Sequence, residues 1–291
     1  ISYNITNFSQ SLLISNDAGT GTLSSASNNT GLGHEVFDDL TSGDQNTGVG
    51  SLALTKVTTG SNNTGIGTVA LTALTTGSQN TAIGDNSLAA ATTSTGNTAL
   101  GYASLTANTT GDRNVAIGWS AMSVNVDGDR SVAVGYAALQ NQEPASNVDM
   151  YNTAVGYVAM NATTTGVNNS AVGAFALDAN TTGNSNSAFG YSSLGSNTEG
   201  LRNVAMGVES LAANTTGDDN VAIGEDALAA NTTAGNNTAV GIDSLKANTT
   251  GANNTAVGGQ GVLDANTTGS NNTGIGGGAL SSNTTADNNT A

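Results

Sequence analysis

A seventeen-residue unit recurs from Asn29 to the last residue, and it restricts the possible folds more than any other property of the chain. The unit reads N-[T/V/S]-[A/G]-[apolar]-G-x-x-[A/S]-L-x-x-N-T-T-G-x-x. Its first position falls at Asn29, Asn46, Asn63, Asn80, Asn97, Asn114, Ser131, Asn152, Asn169, Asn186, Asn203, Asn220, Asn237, Asn254, Asn272 and Asn289. Of the fifteen steps between these starts, thirteen are seventeen residues, one is twenty-one and one is eighteen. A short fixed period marks a stacked array, in which each unit buries its apolar face only against its neighbours. Residues 29–291 are therefore expected to form one repeat domain that stops three residues into a unit, as a piece of a longer chain would, with residues 1–28 as a cap or connector.

Composition narrows the class. With 39 glycines, one proline, no cysteine and 9% charged residues, the polar share is Asn, Thr and Ser. These residues compete for backbone hydrogen bonds and favour strands and turns over helices. Disorder is compatible with such a composition, but it requires no register, and here apolar residues keep one. The net charge of −16, with Lys56, Arg113, Arg130, Arg202 and Lys246 as the only fixed cations, argues against nucleic acid and anionic membrane surfaces. No stretch approaches the roughly 20 apolar residues of a membrane span, so membrane insertion is not expected.

Within the unit, position 4 is apolar in all fifteen complete copies, from Leu32 and Val49 through Ile117 to Ile275. Position 9 is apolar too, from Phe37 through Met122 and Met160 to Leu280, and the one-residue insertion offers Val262 or Leu263. Both positions are expected to point into a continuous core. Position 5 is always glycine and position 15 usually is, about half a period apart, as two bends with φ > 0 would require. Each unit thus reads as one turn of a parallel β-solenoid with two short strands, and the acids cluster at the bends. Stacking at roughly 4.8 Å per coil gives a rod on the order of 70 Å. It also aligns the leading asparagines, among them Asn46, Asn63, Asn80, Asn97, Asn114, Asn152 and Asn169, as a ladder of amides.

The segments Asn114–Gly118 (NVAIG), Ser131–Gly135 (SVAVG), Asn203–Gly207 (NVAMG) and Asn220–Gly224 (NVAIG) resemble the N-S-V-A-I-G motif of trimeric autotransporter adhesin heads. The longer N-T-A-V-G…A-L…N-T-T-G form is similar to repeats of phage tail fibres and related bacterial surface fibres. The likeness covers residues 29–291, although the adhesin unit is shorter. It implies a left-handed parallel β-roll assembled as a homotrimer and used for attachment, outside the cell, on a virion tail fibre or a bacterial surface. Position 3, Ala or Gly in all sixteen units, forms a strip of small side chains. A tight coil interior or the close approach of another chain would each account for it, and the resemblance favours trimer contacts.

No catalytic constellation is legible. His34 is the single histidine, and the acids are spread along the array rather than gathered, so neither an enzyme nor a cofactor is expected. The glycine-rich fragments open no helix as a phosphate loop would. A calcium roll would carry Asp at fixed places in nearly every unit, so no metal is expected. One feature breaks the monotony: position 6 is aromatic at Tyr102, Trp119, Tyr136, Tyr157 and Tyr191. Arg113, Arg130 and the insertion loop Gln140–Tyr151 are nearby in sequence. An aromatic row can stack on sugars or anchor a protein receptor, or simply stack on itself and stabilise the coils. The expected function is a structural attachment fibre whose partners are copies of itself and a host-surface glycan or protein. The alternative is an ice-binding solenoid, because Thr recurs at positions 2, 13 and 14.

Overall fold

The computed structural model describes residues 8–15 and 23–291. Part of the expected N-terminal cap, residues 1–7 and 16–22, lies outside the described residues. The chain divides into two compact units, Ile1–Met150 and Tyr151–Ala291. Each is an all-β parallel solenoid, about fifteen turns in total, with no helix among the described residues. After β1 (Phe8–Ser9), β2 (Leu12–Ile14) and β3 (Ala26–Ser27), every coil contributes one three-residue strand. In the first unit these run from β4 (Thr30–Leu32) to β10 (Val132–Val134), and in the second from β11 (Thr153–Val155) to β18 (Thr273–Ile275). Neighbouring strands pair in parallel and in repeat register, as in Thr47↔Thr64, Gly48↔Gly65 and Val49↔Ile66.

Two expectations need correction. There is one strand per coil, at positions 2–4, and not two. The rest of the coil is a series of turns, although it also bonds from coil to coil, as in Leu54 N–H to the Ala70 carbonyl (3.0 Å) and Thr58 N–H to the Thr75 carbonyl (2.9 Å). Position 4 is also not core. The strand alternates, so burying positions 1 and 3 turns positions 2 and 4 outward. Ala116 is fully buried, while its neighbour Ile117 is half-buried and Leu100 is exposed. The strip of small residues at position 3 is therefore the coil interior, where it faces the large side chains of position 9. A Cβ on Gly65 would lie 3.3 Å from Leu54 Cγ. Size is exchanged across this gap. The bulkiest occupant of position 9, Phe37, lies between Gly31 and Gly48, whose added Cβ atoms would come within 3.1 and 3.4 Å of its ring. Leu13 of β2, just before the first repeat, fills the same space at the N-terminal end: a Cβ on Gly31 would lie 2.6 Å from its Cδ1.

Position 9 is core, as expected, and the insertion resolves in favour of Leu263, which has the φ of +51° typical of this position; Val262 is buried as well. Leucines at position 9 adopt a left-handed backbone, for example Leu54 at φ 52°. This is costly for a non-glycine residue, and complete burial of the side chain offsets it.

The glycines have two different reasons. At position 5 the backbone enters a region reserved for glycine, with φ +136° at Gly118. At position 15 φ is not positive. There a Cβ would collide with the next coil, as at Gly60, where it would lie 2.2 Å from the Gly77 carbonyl oxygen. Closeness of stacking, rather than backbone freedom, selects glycine at that second bend.

The asparagine ladder exists, and its main partner is the backbone. From Asn29 to Asn272 each position 1 amide is buried; its Oδ1 accepts the backbone N–H of a neighbouring leading residue, as between Asn29 and Asn46, and its Nδ2 donates to the position 15 carbonyl of its own coil. For Asn46 the distances are 2.9 Å from Asn63 N and 2.9 Å to Gly60 O. Some members also bond amide to amide, as Asn63 does to Asn46 (3.1 Å). A polar core column is tolerable because every group in it is paired. The acids and hydroxyls of position 16 form a second ladder. Asp112 accepts the Thr95 N–H (2.6 Å), and Asp129 accepts the Asp112 N–H (2.7 Å).

Position 12 changes identity along the chain: Leu40, Val57, Leu74 and Ala91 are apolar, and from Asn108 onward the position is mostly amide. In the second unit these amides form a third ladder, with Asn214 donating to Asn197 (2.9 Å) and to Gly217 O (3.0 Å). Asn108 lies at the junction with the apolar run, buried, with neither side-chain polar atom hydrogen-bonded. Asn108→Leu should therefore raise the thermal midpoint, by the roughly 1–2 kcal/mol that unpaired buried polar atoms cost. The same substitution at Asn214 should lower it, and equal shifts at the two sites in calorimetry would refute the distinction.

Candidate ligand-binding surface

The turn that follows the position 5 glycine carries the aromatic side chains outward. In the first unit, Tyr102 and Trp119 lie 5.0 Å apart between ring centroids at 51°, and Trp119 and Tyr136 lie 6.5 Å apart at 46°. These are tilted contacts between rings that remain about half exposed, with Trp119 at 58%. The stacking contributes to coil cohesion, and the outer edges stay open to solvent. In the second unit Tyr157 and Tyr191 are also exposed, and Phe175 stands between them with edge-on contacts of 5.4 and 5.9 Å. Phe175 was not among the sequence candidates because it occupies position 7 of its coil, where position 6 is Ala174. A search for aromatics within one position of the bend would have found it.

Arg130 forms an ion pair with Asp149, and Arg113 contributes to the field at Asp129. Burial pushes the Asp129 carboxyl above its ordinary range, opposed by its hydrogen bond from the Asp112 backbone. Within the loop, Glu143 accepts the Val126 N–H (2.9 Å), Met150 is buried, and residues 145–148 are exposed. Gln142 has a structural role that links two irregularities. Ser131 keeps the backbone bond of the ladder to Asn114 Oδ1 (2.9 Å), and its hydroxyl donates to Gln142 Oε1 (3.1 Å). Gln142 Nε2 in turn donates to Asn125 Oδ1 (3.2 Å). The one leading residue that is not asparagine is thus matched by the one glutamine at position 12.

A cleft of about 430 Å³ opens beside the second aromatic group. Phe175, Tyr191, Asp178, Glu209, Ser196 and Gly195 line it. Burial raises the Asp178 carboxyl above the ordinary range, against hydrogen bonds from its own backbone N–H and that of Ala179. No group of three or more His, Cys, Asp or Glu side chains placed to hold a metal occurs among the described residues. No described helix is long and apolar enough to cross a membrane. Comparison with protein-family models and with curated proteins gives no match to this chain.

Proposed function

We propose that the chain is a non-catalytic fibre segment for attachment to a surface, as in a virion tail fibre or a bacterial adhesin, and that it works as a parallel homotrimer. The observation that supports this best is the outer face of the sheet. Position 4 presents a row of large apolar side chains, including Leu32, Ile83 and Leu100 in the first unit and Phe189, Met206 and Ile223 in the second, all exposed. A contiguous row of this kind, rather than apolar residues scattered singly, marks an interaction surface. The occupant best matched to a face repeating every seventeen residues is the same face of another copy. Position 4 thereby takes the role in chain contact that the sequence suggested for position 3, and three is the number the adhesin resemblance implies.

Analytical ultracentrifugation of the chain at micromolar concentration is expected to give the mass of three copies. Ile117→Asp combined with Met206→Asp should give one copy with an unchanged circular dichroism spectrum, because both side chains point outward. A wild-type monomer would refute the assembly. Ice binding has weaker support: position 2 of the same face mixes Thr, Val and Ser, and the position 13 hydroxyls bond to the next coil, as Thr58 does to the Thr75 carbonyl (3.1 Å). Thermal hysteresis in the purified protein would reverse that preference.

A further inference from the structure

We propose that the cleft over Gly195 is a carbohydrate site that takes a neutral pyranose unit. One position distinguishes its lining. Position 10 carries Asp178 in the preceding coil and Ala212 in the following one, and Gly195 is the only glycine at that position in the chain. The lining spans three coils, with Phe175 and Asp178 from the preceding coil and Glu209 and Ala212 from the following one. A Cβ on Gly195 would lie 3.2 Å from the Ser192 carbonyl oxygen and 3.5 Å from Asp178 Oδ1, so any side chain added there presses on the acceptor end of the cleft.

The lining matches the two surfaces of a pyranose. Tyr191, 50% exposed, offers a ring to the C–H face of a sugar, and the edge contact with Phe175 (5.9 Å, 83°) holds it in place. Asp178 and Glu209 supply acceptors for pairs of hydroxyls, with Ser192 and Ser196 as additional donors. The Asp178 carboxylate is partly desolvated, which strengthens a hydrogen bond to a neutral donor. Acidic sugars are disfavoured by the two carboxylates and by the net charge of −16. The volume of about 430 Å³ is in the range of small-molecule sites. The site deepens the attachment reading and depends on it only for its biological setting.

The test is a glycan array of neutral, amino and acidic saccharides probed with the full chain, followed by calorimetric titration of the strongest binder. Neutral saccharides are expected to bind. Gly195→Gln, which fills the cleft with a residue that Gln140 shows is accepted at this position, should weaken binding at least tenfold, as should Tyr191→Ala. Trp119→Ala should leave it unchanged. Absence of binding to neutral saccharides at millimolar concentration, preference for amino or acidic sugars, or full binding by Gly195→Gln would each overturn the site. Cell-surface adhesion retained at the wild-type level by Gly195→Gln would also overturn it while leaving the attachment reading intact. Saccharide binding in solution without adhesion of the chain to any surface would support the site and count against attachment.

Discussion

Gly118→Ala should unfold the coils around it, at a cost of roughly 3 kcal/mol or more, although it adds a single methyl group. Two effects combine. The backbone there has φ +136°, a region that side chains rarely tolerate, and the new Cβ would lie 2.3 Å from the Gly135 carbonyl oxygen. That oxygen belongs to the backbone of the next coil, so relief requires spreading the stack. Gly259→Ala is the control: nothing lies within 4 Å of an added Cβ and φ is not in the positive range, so its effect should stay within about 0.5 kcal/mol. Urea unfolding of both variants checks the contrast, and similar midpoints would refute the stacking argument.

The second large effect is expected at the centre of the asparagine ladder. Asn203 accepts from the backbone N–H of Asn220 (3.0 Å) and from its Nδ2 (3.1 Å), and donates to Gly217 O (2.8 Å) and Asn186 Oδ1 (3.2 Å). Asn203→Leu is nearly isosteric, yet it leaves buried groups without partners in two neighbouring coils and should cost about 3–5 kcal/mol. Asn203→Asp separates acceptor from donor. It retains the acceptor but buries a carboxyl, whose folded pKa should rise above the unfolded value near 3.9. A raised carboxyl pKa means that the folded state holds the proton more tightly, so this variant should be most stable below about pH 4 and lose stability as pH rises. Thermal unfolding from pH 3 to pH 7 measures this directly, and a flat profile would show that the ladder tolerates the charge.

Much of the fold was legible because the repeat is strict. The period fixes one coil per unit, the leading asparagine fixes a buried amide column, and the leucine of position 9 fixes a core. Hydrophobicity alone points to the wrong strand face, since Ile117 is larger and more apolar than Ala116. The interior between the strand and position 9 is too narrow for a branched side chain beside a leucine, so the small residue is buried and the large one faces out. The glycine of position 15 suggests a conformational reason in the sequence and has a steric one in the stacked coils. At the candidate sites, the exposed rings of Tyr102, Trp119 and Tyr136 follow from their shared position. The cleft does not, because its lining brings together three neighbouring coils and includes Phe175, one position out of register.

By itself, the sequence determined the periodicity, the parallel stacking of coils and the residue types of the ladders, because each is set by recurrence at constant spacing. Only the tertiary structure decided which face of the strand is buried, that Gln142 compensates for Ser131, and where a cleft opens. Those features depend on distances between coils, which residues seventeen apart in sequence reveal only once they are stacked in space.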